Sequence, residues 1–91
     1  MITWIIGISN SGKTTLAKRI PKYHKNTIVL DADEIRRVVK YSDYGHFLQS
    51  LAFLSKMFSQ QGFDVAVSAI VPTEEYKSNI TEICNPEWIE L

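Results

Sequence analysis

The residues best equipped for chemistry lie close to the start of the chain. Gly7-Ile8-Ser9-Asn10-Ser11-Gly12-Lys13-Thr14 fits the spacing G-x-x-x-x-G-K-[ST]. In that pattern the two glycines let the backbone curl so that successive N–H groups point at one phosphate, with no side chain in the way. Lys13 then reaches the outer phosphates of a nucleotide as a point charge, and the Thr14 hydroxyl is placed to ligate Mg2+. The start of the following helix adds its own partial positive charge. Average residue usage would yield the octet by chance in about one chain of this length in several hundred. A strand–helix turn that binds nothing needs neither the lysine nor the paired Thr14 and Thr15, so the stretch reads as a site for nucleotide phosphates.

A second group of chemically useful residues follows at Asp31, Asp33 and Arg36. Phosphoryl transfer is mostly positioning and charge stabilisation, and a carboxylate and an arginine are parts expected of it. The same residues have plainer readings: Asp33 can serve as a helix cap, and Arg36 can lie on a solvated helix face. His24 and His46 have no cysteine or carboxylate at metal-ligand spacing and read as surface residues.

These groups must be positioned by a small framework. The 91 residues allow one domain, and 45% hydrophobic with 22% charged residues is a globular composition. The net charge of zero gives no reason to expect a nucleic-acid partner. The charge is polarised: residues 1–40 hold eight Lys/Arg against three Asp/Glu, and residues 41–91 hold two against seven. Cys84 is the single cysteine, which suits a reducing compartment. With neither a signal peptide nor a long apolar run, no membrane association is expected and a cytoplasmic location is.

Along the chain, residues 2–8 read as a buried strand, and the helix that begins at Lys13 is expected to stop at Pro21. Residues 27–31 form a β-branched strand ending in Asp31. Residues 33–41 read as a helix capped by Asp33, with Ile35, Val38 and Val39 inward and Arg36, Arg37 and Lys40 outward. A longer helix begins near His46, with Phe47, Leu51, Leu54 and Phe58 at helical spacing, Met57 and the aromatics facing the core, and Gly62 as its stop. A strand over 63–70, a helix capped by Thr73, a turn at Asn85-Pro86 and a strand from Trp88 complete the order β-α-β-α-α-β-α-β. That order implies an α/β fold of P-loop NTPase type: a parallel sheet of about four strands, helices on both faces, and ligands at the carboxyl ends of the strands. The strand over 63–70 carries no Asp or Glu at its end, which disfavours an NTPase motor.

Residues 3–17, then Val29–Arg36, then Met57–Pro72 resemble, in order and spacing, the adenylyl-sulfate kinases and related P-loop kinases. Members of that family read W-x-x-G-[LI]-S-x-S-G-K-[ST]-T-L-A, then L-D-G-D-x-[IVL]-R, then a helix ending in glycine, a strand and an S-x-I-S-P turn. Trp4, Ser9, Ser11, Leu16 and Ala17 match beyond the general octet. The resemblance implies that Gly7 to Thr15 hold the phosphates of ATP, with Lys13 acting in catalysis. It further implies that Asp31 joins Thr14 at Mg2+, that Asp33 lies beside the acceptor hydroxyl, and that Arg36 and Ile70 contact the acceptor.

The function implied is transfer of the ATP γ-phosphate to the 3′-hydroxyl of adenylyl sulfate or a related small acceptor. Another small-molecule kinase, or a non-catalytic nucleotide-binding module, stands as the alternative. Four departures bear on the acceptor. Ala32 replaces the glycine of D-G-D, the Asp-Arg-x-x-Asn pattern expected after Tyr41-Ser42 is absent, Val71 replaces the serine before Pro72, and Thr73-Glu74 replaces the Tyr-Arg after it. Residues 1–91 are read as a single P-loop kinase-like domain in which the family's C-terminal lid and last strand are absent. The outer sheet edge this leaves makes a homo-oligomer an open possibility.

Overall fold

The computed structural model describes residues 1–8, 12–23 and 26–91. Four strands, β1 (Ile2–Ile6), β2 (Thr27–Asp31), β3 (Asp64–Ala69) and β4 (Glu87–Glu90), form one sheet in the order β2-β3-β1-β4, every pair parallel. Parallel neighbours need crossovers, and the helices supply them: α1 (Lys13–Tyr23), α2 (Ala32–Ile35), α3 (Tyr44–Gln60) and α4 (Glu74–Cys84). The chain is thus the α/β fold of P-loop type that its element order implies.

The strands are buried on both faces because their alternate residues face two different layers. Trp4, Val65 and Val67 point into a core shared with Phe47, Leu48, Leu51 and Ala52 of α3 and with Ile80 of α4. Ile5 and Ala66 point the other way, onto Ala17 of α1. This two-sided burial is why these strands read as near-continuous apolar runs rather than alternating ones. At the β4 edge, Trp88 stands in register with Trp4, their rings 5.8 Å apart, and Lys77 lies 5.1 Å over the Trp88 ring.

Several expectations need correction. α1 does not stop at Pro21 but runs to Tyr23. Proline has a helical φ and forfeits only its own N–H bond, a loss one terminal turn can bear. The helix expected over 33–41 is a single turn, α2, and its cap is Asp31 rather than Asp33: the Asp31 carboxylate accepts from the Asp33 N–H at 2.9 Å. After Ile35 the backbone tightens into three-residue bonds, from Arg37 N to the Glu34 carbonyl and from Val38 N to that of Ile35. Val38 and Val39, expected inward, are therefore carried outward, 80% and 47% exposed. On α3 the apolar positions exceed one face, so Phe53 and Met57 are exposed while Phe47 and Leu51 are buried. Gly62, at φ +95°, follows the end of α3 as expected, and His46 lies exposed in its first turn.

Asp31 at the cap of α2 bears on stability. Asp31→Ala removes the acceptor for Asp33 N at a buried position, and is expected to cost about 1–2 kcal/mol in urea unfolding. Asp31→Asn keeps an acceptor oxygen and should cost a few tenths. Equal losses for the two would mean that the cap contributes nothing.

Cys84, at the end of α4, is half-buried against the larger core and donates its S–H to the Ile80 carbonyl at 3.5 Å. Burial pushes its thiol up to about 11, an effect partly offset by the Trp4 indole and by Lys56. Trp4 Nε1 is buried without a hydrogen bond of normal geometry, so the neighbouring sulfur serves it only weakly. A folded-state pKa raised from 9 favours the folded protein below pH 9, and that contribution is lost as pH rises towards 11. The native thiol is expected to resist iodoacetamide at pH 8 and to react promptly in urea. Equal rates in the two conditions would contradict the burial.

Candidate functional site

The candidate site is built where the sheet's carboxyl ends meet the helix starts. Backbone register aligns Asp31 with Ser68, and Ser68 with Ile5. At a strand spacing of about 4.8 Å, Asp31 lies roughly 10 Å across the sheet from Ile5, two residues before the glycine loop begins. Gly7 and Ile8, Ile70, and Asp33 with Arg36 therefore emerge at one end of the molecule from three parallel strands.

The glycine loop is held at both sides. Gly12 sits at φ +91°, a conformation closed to ordinary side chains, and a Cβ there would meet nothing within 4 Å, so the glycine is required by backbone conformation rather than by crowding. The Gly12 carbonyl accepts from Leu16 N at 2.9 Å, which starts α1. The first turn of α1 contains no acidic residue, leaving the positive end of the helix dipole unneutralised by its own side chains. Lys13 is 4% exposed, and its ammonium donates to the Ile8 carbonyl at 3.4 Å. A buried cation beside a helix start, with one long hydrogen bond among the described residues, is suited to an anion. Thr15 is exposed in the same turn. Ser9, Asn10, Ser11 and His24 lie outside the described residues, as does the Thr14 side chain.

Across the sheet, the Asp31 carboxylate is buried at the end of β2, while those of Asp33 and Glu34 sit in the first turn of α2. Arg36 donates to Asp33 one turn away, both side chains partly exposed. Hydrogen bonds to Tyr41 first, and to Asp33 second, hold the Arg36 charge more firmly than usual. The Asp31 carboxylate engages Oδ1 in the cap of α2. Among the described residues no group of three or more His, Cys, Asp or Glu could hold a metal unaided. Mg2+ suits such a place, because it takes most of its ligands from phosphate and water and needs one or two from protein.

Beside the start of the glycine loop, past the ends of β1, β3 and β4, lies a cavity of about 240 Å3 that Glu90 and Leu91 also line. Gly7 and Ile8 form one wall, and Ile70, Val71 and Pro72 form another. The Tyr44 hydroxyl donates to the Ile70 carbonyl at 2.5 Å, fastening that second wall to the start of α3. Sequence reasoning missed Tyr41 and Tyr44. Their only local signal is two tyrosines flanking a helix cap, because their partners are set by tertiary structure.

Among the described residues, no helix is long and apolar enough to cross a membrane. The chain is similar to several known kinases. Adenylyl-sulfate kinase of Paraburkholderia xenovorans is 30% identical, with 99% of this chain and 56% of the relative covered. Cytidine diphosphoramidate kinase of Campylobacter jejuni is 33% identical, with 76% and 46% covered. The Mycobacterium tuberculosis APS kinase solved with AMPPNP and APS superposes on 98% of this chain and 59% of its own, with a TM-score of 0.77 and 24% identity. The chain spans about half the length of the curated relatives it matches. The adenylylsulphate kinase family matches residues 1–91, and the chain belongs to that family.

Proposed function

We propose that the Gly7–Thr15 loop binds ATP with Mg2+, and that the site passes the γ-phosphate to a hydroxyl of a small nucleotide-linked acceptor, adenylyl sulfate first among them. The observation that carries this reading is placement. The buried Lys13 and the Asp33–Arg36 pair stand at the carboxyl edge of one sheet, on either side of the β3 exit. In the transfer, the bond from the γ-phosphorus to the bridging oxygen breaks and a bond to the acceptor oxygen forms. ADP leaves, and the hydroxyl proton passes to Asp33. Lys13 and the loop N–H groups offset charge on the phosphates, Arg36 faces the anionic group of the acceptor, and Ile70 packs against it. Mg2+, held with help from Thr14 and Asp31, would supply further charge neutralisation on the phosphate oxygens.

A second reading changes only the acceptor. The missing Asp-Arg-x-x-Asn pattern, with Gly45-His46 in the stretch after Tyr41-Ser42, favours an acceptor other than adenylyl sulfate. The Campylobacter relative is named for such a one, cytidine diphosphoramidate. ADP release measured with Mg·ATP alone, with adenylyl sulfate and with cytidine diphosphoramidate separates these readings. Release that requires one acceptor is expected. Nucleotide binding with no acceptor-dependent release would leave a non-catalytic module.

A further inference from the structure

We propose that Tyr44 is a positioning residue for the acceptor side of the site: its hydroxyl fixes the Ile70–Pro72 turn at the distance from the glycine loop that keeps the cavity between them open. This inference rests on the kinase reading above for its functional half, and on the structure alone for its mechanical half.

The turn needs an anchor. β3 ends at Ala69, and residues 70–72 belong to no strand or helix, so the Ile70 carbonyl lies past the end of the sheet ladder. A carbonyl at such a place must find a partner elsewhere. The Tyr44 hydroxyl, 26 residues away in sequence, meets it. Tyr44 is itself immobilised. Its ring lies 5.9 Å from Tyr41, 6.0 Å from Phe47 and 6.2 Å from Tyr76, so three aromatic neighbours fix where the hydroxyl points.

The next residue shows how tightly this corner is built. A Cβ at Gly45 would stand 2.8 Å from a Tyr76 ring carbon and 3.1 Å from Asp43 Oδ1. Only glycine lets Tyr76 close over the first turn of α3 while Asp43 caps it through the N–H groups of Gly45 and His46. The corner therefore joins four elements: the cap of α3, the start of α4, the turn after β3 and, through Arg36 and Tyr41, the Asp33 carboxylate. Burial raises the Tyr44 pKa above its ordinary value, so the hydroxyl remains a donor across the physiological range.

The test is Tyr44→Phe, which deletes one oxygen and keeps the ring packing. Two readouts are taken on the same protein. In hydrogen–deuterium exchange, the amides of Tyr76 and Lys77, which Thr73 holds at the end of the turn, are expected to exchange at least fivefold faster than in the parent chain, with those of β1 and β3 unchanged. In ADP-release kinetics, the KM for the accepted substrate is expected to rise at least fivefold while the KM for ATP stays within twofold. Unchanged exchange at these two amides overturns the proposal. So does faster exchange with an unchanged acceptor KM, because the turn would then be held without bearing on the acceptor. If the parent chain shows no acceptor-dependent release, the kinase reading has failed, and the exchange result alone decides whether Tyr44 positions the turn. Tyr76→Phe, which leaves the Tyr44 hydroxyl in place, should alter neither readout, and an equal effect from it would overturn the assignment, because loss of any hydroxyl at this corner would then suffice.

Discussion

Lys13→Ala is expected to abolish most of the stabilisation that Mg·ATP confers on the fold. At a hundredfold excess over its dissociation constant, nucleotide should stabilise the parent chain by about 2.7 kcal/mol, which for a domain of this size raises Tm by roughly 10–20 °C. Lys13 directly follows Gly12 in sequence and is buried, its ammonium beside the Ile8 carbonyl. Removing it deletes a point charge from a site shielded from water, where charge counts most. The apo variant should be at least as stable as the parent, because the lost ammonium made one long hydrogen bond among the described residues. Thermal melts with and without Mg·ATP check both statements. A Tm rise in the variant equal to that of the parent would mean that the loop is not the nucleotide site.

Asp33→Asn is expected to lower kcat by about 10²-fold or more, with the KM for ATP little changed. The structure makes this substitution cleaner than the sequence suggests. Asp31 is the cap of α2, so the Asp33 side chain carries no capping duty, and the exchange removes charge without removing an acceptor for the helix. The ion pair with Arg36 is partly exposed, and its loss should change unfolding free energy by no more than about 1 kcal/mol. Steady-state kinetics on both substrates decide the matter. Turnover unchanged in the variant would reduce Asp33 to a partner of Arg36 and move the proton-accepting role to Asp31.

The legible parts of this protein were those in which local pattern and tertiary demand coincide. Strands buried on both faces can only be apolar runs, and β1 and β3 read that way directly. Thr73, followed by two glutamates, announces the start of α4, and the structure uses it as the cap. The D-x-D segment is different. Either aspartate can cap a helix two residues apart, and the choice falls to Asp31 because it is the last residue of β2 and is buried beside the helix start. Val38 and Val39 carry the spacing of an inward face, yet the turn that holds them leaves both exposed, and periodicity cannot see whether a partner will cover them.

The same division holds at the site. The glycine octet is a local motif, legible because phosphate binding requires consecutive residues. The bond from Tyr44 to Ile70 joins positions that approach only after α3 and β3 have packed, and nothing near either residue announces it.

The central claim, that this chain carries a phosphate from ATP to a nucleotide-linked hydroxyl, is tested most directly by following the phosphate itself. The chain is incubated with Mg2+, ATP labelled at the γ-phosphorus and either adenylyl sulfate or cytidine diphosphoramidate, and the products are separated. The account predicts label on one acceptor, formed in step with ADP and lost in Lys13→Ala. Label that stays in ATP, or appears only as free phosphate, while the chain demonstrably binds the nucleotide, would contradict it.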